Sequence, residues 1–590
     1  LNVDRRFGIF VVSALLACSP GSVASAAANP KPAAPPIDRT LPGIIQRFTA
    51  DQDSLRAVYT IPFEPSTMAR FEMFYNGELT MLSGIGFEGL SQEDRVDYLL
   101  LKAHLRHDLH QLAMERQQAA EVTPLLPYAA TVEQLVDRKR LMQRPDAEKS
   151  AAELSQMVKQ ISALELKLDP KTAPAGSAKV NPVVANRAVQ ASMALQSQLH
   201  LWFDNYNGYD PIFTWWVDMP YKAADKAITD HISFLKQKLV GIAPEDKTTI
   251  IGDPVGRPAI VDALADNLIP YTPEELIAIA QTEYDWCMVQ MLKASHEMGY
   301  GDDWHAAVEK VKQTHVPPGE QPEVIRKLVQ EGSDFVKKHD LVTVPPLADE
   351  TWHMVMMTPE QQLVNPFFTG GDEISVSYPT NTMTFEQRQM SMRGNATPLS
   401  HATAFHEMIP GHYLQTYISA RYNTYRNEFE TPFWHEGNSL WWEMLLWDEG
   451  FDKTPEDRVG ALVWRMHRSA RVIFSMNFHL GHWTPQQCVQ FLIDKVGFEP
   501  DNATAEVRRS FDGSVGPLYQ SAYLIGGLQF RALHHELVDS GKMTNRKFHD
   551  RILHENSMPI ELLRADMEGG KLTEDFTSGW KFYGDHPVHP

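Results

Sequence analysis

Apolar residues recur at three- and four-residue spacing along nearly the whole chain, the period of helices that bury one face. The pattern predicts helices over 95–115, 131–168, 188–205, 223–240, 273–298 and 322–338. Thr272-Pro273-Glu274-Glu275 gives one of them a sharp start, with Thr as cap, Pro at the first helical position and acids in the first turn. Asp169–Val184, rich in Pro, Gly and Ala, predicts a long loop. Strand signal is sparse: Glu373–Tyr378 alternates and is β-branched, and Asp340–Val344 is a weaker candidate. No repeat of fixed period is present. The expected architecture is mostly α, with one small β-sheet just upstream of the helix that carries His406.

Composition narrows the function. The 590 residues hold 54 Lys and Arg against 75 Asp and Glu, a net charge of −21. Such a surface repels polyanions, so nucleic acid is not an expected partner. Three Cys exclude a disulfide scaffold and a Cys-based zinc site, which leaves the 23 His and the carboxylates as metal ligands. Arg5-Arg6, the apolar run Phe7–Ala17 and Ala24-Ser25-Ala26 read as a signal peptide over 1–26. A linker over 27–40 and a single helical domain over 41–590 are expected to follow. Leu15-Leu16-Ala17-Cys18 also fits a bacterial lipobox, so two products stay open: a periplasmic protein, or an outer-membrane lipoprotein anchored at Cys18. Either cut removes Asp4, Arg5 and Arg6 and takes the charge to −22. No later apolar run is long enough to span a membrane. Cys287 and Cys488 remain, as a pair or as free thiols.

The chemistry concentrates in His406-Glu407-Met408-Ile409-Pro410-Gly411-His412. Two imidazoles on one metal, with a Glu beside the first to take a proton from water, is the logic of zinc hydrolases. The usual spacing puts the two His one helical turn apart. Here they are six residues apart, about 600° of rotation, which an ideal helix places about 120° off one face. Pro410 breaks the helix at the carbonyl of His406, and Gly411 lets the backbone absorb the surplus residues. A carboxylate from a second helix completes such a site, and the apolar-striped segment 433–450 supplies Glu436 as ligand and Glu443 as a group orienting an imidazole. A third helix carries Arg468, Arg471, Ser475, His479 and His482 on one stripe, suited to recognising an anion such as a peptide carboxylate. A fourth carries Tyr519 and Tyr523 one turn apart, followed by Gly526-Gly527. A Tyr hydroxyl can donate to an oxyanion, and paired mid-helix glycines imply close approach of another element.

Together these elements resemble the bacterial family catalogued as domain of unknown function 885 (DUF885), within the gluzincin metallopeptidases. The carriers are H-E-x-x-P-G-H-x-x-Q at His406–Gln415, Glu436-Gly437 with Glu443, Arg471 with His479 and Trp483, Pro517 with Tyr523 to Gly526, and Ile269–Leu276. The 24-residue gap from His412 to Glu436 is similar to that of angiotensin-converting enzyme, another all-helical gluzincin. The resemblance implies a large multi-helix fold with a deep cleft, one zinc ion and peptide-bond hydrolysis. The chain departs from the family where E-G-W-A-L-Y-A-E becomes Glu436-Gly-Asn438-Ser439-Leu-Trp-Trp-Glu443, and where Tyr519 replaces a frequent Gln.

The resulting expectation is an exported zinc peptidase. His406, His412 and Glu436 hold the metal, Glu407 is the base, and Tyr523 with His479 stabilises the oxyanion. Arg471, Arg468 and Tyr519 bind substrate near a peptide C-terminus, while Ile374–Tyr378 pairs with an extended substrate backbone. Two other classes stay open: a metal-dependent hydrolase of non-peptide amides or esters, and a non-catalytic periplasmic binding protein.

Overall fold

The computed structural model describes residues 40–584, apart from 62, 170, 173–178, 247–248, 363–364 and 366. The signal peptide, the lipobox at Cys18 and nearly all of the linker lie outside the described residues. The body is mostly α, as the apolar period predicts. Its sheet consists of two three-residue parallel strands, β1 (Met354–Met356) and β2 (Ile374–Val376), with Met354 opposite Ile374. Among the described residues no helix is long and apolar enough to cross a membrane.

Three apolar clusters hold the helices together. The largest centres on Phe433, Trp434, Trp441 and Trp442 and packs the helices that carry the motifs. The second contains Trp464, Phe474 and both cysteines, which are buried free thiols. Burial pushes both thiols up to about 12. The third joins Tyr128, Trp202 and Phe213 within the helices Ala129–Arg140, Ala147–Leu168, Pro182–Tyr206 and Pro211–Phe234. Gln92–Val122, the bridging helix, connects the first and third clusters: its start buries Val96, Leu101 and Leu105, and its last residue, Val122, joins the far core. At 31 residues it is about 46 Å long. Its middle turns bury Leu105 on one side and on the other present His104, His107, Asp108 and His110 to a cavity.

The structure corrects several expected elements. Residues 131–168 form two helices: the first stops at Arg140, where the backbone turns left-handed at Met142 (φ 53°), and Asp146 caps the second by accepting the N–H of Lys149. Asp340–Val344 is not a strand; the N–H of Thr343 donates to Asp550. Nor is β2 free to pair with a substrate. Its Ile374 and Val376 bond on one side to residues flanking and within the β1 segment, and Ser375 exchanges both backbone hydrogen bonds with Thr369 on the other.

Candidate metal centre

Five helices and one loop build the site. The His-Glu helix, Thr397–Glu407, ends at Glu407; the chain turns through a cis Ile409–Pro410 bond and restarts as the helix His412–Ser419. The surplus residues between the two histidines are therefore taken out of the helix altogether. Met408 and Ile409 go into the core, and Gly411 lies against the carbonyl of His406, where a Cβ would stand 1.8 Å from that oxygen. This expels the extra rotation and turns both rings towards one point, with centroids 4.8 Å apart and planes perpendicular.

The glutamate helix, Pro432–Asp448, crosses the tyrosine helix, Tyr519–His534, at Gly437 and Gly526. A Cβ on Gly437 would lie 2.6 Å from Gly526 Cα, and one on Gly526 would lie 2.1 Å from the carbonyl of Phe433. The close approach predicted from Gly526-Gly527 is this crossing. It sets Glu436 between the histidines and the tyrosines. Its Oε2 is 3.1 Å from His412 Nε2 and 3.6 Å from His406 Nε2. Donors held at about 2.0–2.2 Å in a tetrahedron are about 3.3–3.6 Å apart, so both spacings lie close to what one shared metal ion requires, and ligand atoms of His406, Glu407 and His412 lie within 4.8 Å of one another. Its Oε1 accepts from Tyr519 at 2.5 Å and Tyr523 at 2.7 Å.

Groups behind the ligands fix which nitrogen each ring presents. Gln415 donates its amide to Asn438 and Ser439, both at 3.0 Å, which turns its oxygen towards His412 Nδ1. His412 then carries its proton on Nδ1 and offers Nε2 as a lone pair. The residues that depart from the family pattern, Asn438 and Ser439, thus hold the glutamine of the motif. Glu443 lies 2.6 Å from His406 Nδ1 and pairs with Arg468 at 3.2 Å. Burial opposes charge on all these groups. Even so, His412 and His406 hold Glu436 well below the usual carboxylate range, and Glu436 with Glu443 raises His406 to about 9. Such a concentration of carboxylate and imidazole lone pairs is suited to a cation.

Glu407 stands on the open side, its Oε1 4.0 Å from His406 Nε2. Its other oxygen accepts the N–H of Gly370, at 2.5 Å, from the loop that precedes β2. Gly370 packs so closely that a Cβ would lie 2.1 Å from the carbonyl of Glu407. His406, Glu407, His412 and Glu436 all open onto a cavity of about 1500 Å³ that reaches to the bridging helix.

The remaining expected residues fare differently. Arg468, Arg471, Tyr519 and Tyr523 line the same cavity. Tyr519 and Tyr523 spend their hydroxyls on Glu436, and Arg468 is committed to Glu443. Arg471 donates to Glu506 at 2.7 Å, and its guanidinium lies over the Tyr523 ring at 4.1 Å. His479 is not part of the centre. It packs against Phe478 and Phe511, and burial lowers its pKa to about 4. It shares the stripe of Arg471 but lies eight residues further on, about 12 Å along the axis. Sequence reasoning missed Gly370, Glu506, Arg509 and His435, the last stacked on His412 at 4.2 Å. His435 alone had a local signal, as the neighbour of a ligand.

The family model describing bacterial proteins of unknown function, DUF885, matches residues 58–567. No curated protein matches the chain. A "putative lipoprotein of unknown function" from Shewanella oneidensis has a similar fold, with a TM-score of 0.66 at 16% identity, covering 90% of this chain and 100% of that one. A "putative lipoprotein" from Colwellia psychrerythraea is similar at a TM-score of 0.56 and 15% identity, covering 90% and 98%. At such identities the likeness is one of fold. The match across 58–567 makes the chain a member of the DUF885 family.

Proposed function

We propose that this protein is an exported, zinc-dependent peptidase. The observation that carries the reading is the convergence of His406 Nε2 and His412 Nε2 on Glu436 Oε2, at 3.6 and 3.1 Å, with Glu407 beside them on the cavity side. When bound, zinc supplies Lewis-acid polarisation and acidifies water. Glu407 takes the proton of the attacking water and delivers it to the leaving amine, oriented for this by the Gly370 N–H. Tyr519 and Tyr523 both donate to the outer oxygen of Glu436, so of the two expected oxyanion donors Tyr523, unlike His479, lies beside a proposed ligand. A cavity of about 1500 Å³ suits several residues of an extended peptide. Export is supported by the Arg5-to-Ala26 pattern, and the alternative of anchoring at Cys18 by the lipobox and by the likeness in fold to two proteins described as lipoproteins.

The test is hydrolysis of a mixed peptide library by the zinc-loaded protein and its Glu407→Gln variant. The variant is expected to retain zinc and to lose at least about 10²–10⁴-fold in kcat. Unchanged turnover in the variant overturns the role of Glu407. Hydrolysis of simple amides or esters, with peptides left intact, would favour the non-peptide reading.

A further inference from the structure

We propose that Arg471 and Arg509 form a carboxylate subsite that limits the enzyme to cleavage near a free C-terminus, a deepening that rests on the peptidase reading above. Both line the cavity that contains the metal centre. Arg471 comes from the helix Pro455–His479 and Arg509 from the helix Pro500–Phe511. One carboxylate, Glu506, serves both: Arg471 Nε donates to its Oε1 at 2.7 Å and Arg509 Nη2 to its Oε2 at 3.2 Å. Two guanidinium groups on one carboxylate leave a surplus positive charge.

Donors are also left over. Arg471 is 3% exposed, and its Nη1 has no hydrogen-bond partner among the described residues. The Nε of Arg509 is likewise unpartnered, while its Nη1 reaches Asn365 only at 3.5 Å. A buried guanidinium N–H without an acceptor is unfavourable, and a planar carboxylate matches that geometry. Arg468, the other expected anchor, also has an unpartnered Nε, but it is set on Glu443 behind His406, between the Trp464 and Tyr523 rings.

Position fixes the cleavage site. The Arg471 guanidinium lies 4.1 Å over the Tyr523 ring, and the hydroxyl of that ring is on Glu436. Only one aromatic ring thus separates the anchor from the metal ligand. At about 3.3–3.6 Å per extended residue, a terminal carboxylate held there leaves the scissile carbonyl one or two residues upstream. Water adds to that carbonyl, the C–N bond breaks, and the leaving amine takes the proton from Glu407. The products are a shortened peptide acid and a free C-terminal amino acid or dipeptide.

The test uses two otherwise identical pentapeptide mixtures, one with free C-terminal carboxylates and one amidated. Binding to the zinc-loaded Glu407→Gln protein is measured by calorimetry, and cleavage by the wild type by mass spectrometry of products. Free acids are expected to bind about 30-fold more tightly than amides, a margin typical of charged hydrogen bonds. That margin should fall below about threefold in Arg509→Gln, with zinc content unchanged, and Arg471→Gln should act the same way. Released products should be single residues or dipeptides. Equal binding of acids and amides, binding of neither, or full discrimination in both arginine variants overturns the subsite. Internal cleavage of both mixtures alike would leave the peptidase reading standing and the subsite refuted. Discrimination without any hydrolysis would do the reverse.

Discussion

Glu443 stands behind His406 with Arg468 behind it in turn, so removing its charge alters a ligand without touching the metal. Glu443→Gln is expected to weaken zinc binding about 10–100-fold, read by competition with a chelator, and to leave folding intact. Unchanged affinity would show that the 2.6 Å contact does not orient the ring. At this scale the convergence of His406, His412 and Glu436 beside Glu407 was legible because spacing along neighbouring helices determines where they point. Pro410-Gly411 was legible as a break, though the mechanism differs: the extra residues leave the helix and Gly411 is required by contact with a carbonyl. Arg509 and Glu506 were not legible, since they reach Arg471 from a helix 35 or more residues away. His479 failed for a different reason. A helical stripe fixes direction around the axis, while level along it decides which residues meet.

Between elements, the crossing at Gly437 and Gly526 decides whether Glu436 reaches the histidines. Gly437→Ala or Gly526→Ala inserts a methyl within 2.6 or 2.1 Å of opposing backbone. Each is expected to destabilise the fold by about 1–3 kcal/mol, the range for overpacking, and to lower zinc occupancy. Gly77→Ala is the control: it sits in the helix Pro65–Ser83 with nothing within 4 Å of its added Cβ. There the same change is expected to stabilise by about 0.5–1 kcal/mol, because helical Gly is entropically costly. Urea midpoints check both signs. The apolar period gave the helices well. It could not show that a left-handed turn at Met142 ends one of them, nor that Thr369 occupies the second edge of β2, because pairing of so short a strand depends on a loop remote from any periodic signal.

Across the whole molecule, three cores are tied by the bridging helix and by buried ion pairs, and one of these sets a pH response. His401, on the His-Glu helix, faces Asp452 at 3.2 Å and Glu331 at 3.7 Å, and stacks on Phe451. Burial opposes its charge, but the two carboxylates outweigh this and raise it to about 9 from 6.5. Because the folded pKa is the higher, this contribution is fully present below about pH 6.5 and is lost as the pH rises towards about 9. His401→Gln should therefore cost of order 2 kcal/mol at pH 6 and progressively less from about pH 6.5 to about pH 9, read from urea midpoints across pH. A constant difference across that range would remove the titration from the account. The cavity wall shares the acidic balance of the sequence, net −21, yet Arg468, Arg471 and Arg509 gather in it, paired with Glu443 and Glu506 beside the proposed ligands. Overall charge in the sequence did not place that arginine group, which forms only when helices distant in the chain close round the cavity.

The central claim is that His406, His412 and Glu436 hold one zinc ion, and metal stoichiometry tests it most directly. Inductively coupled plasma mass spectrometry of the purified protein, after exposure to zinc and removal of excess, should give about one zinc per chain for wild type and for Glu407→Gln. His412→Ala should give far less under the same treatment while remaining folded by circular dichroism. Absence of stoichiometric zinc in the wild type, or full occupancy in folded His412→Ala, would contradict the account.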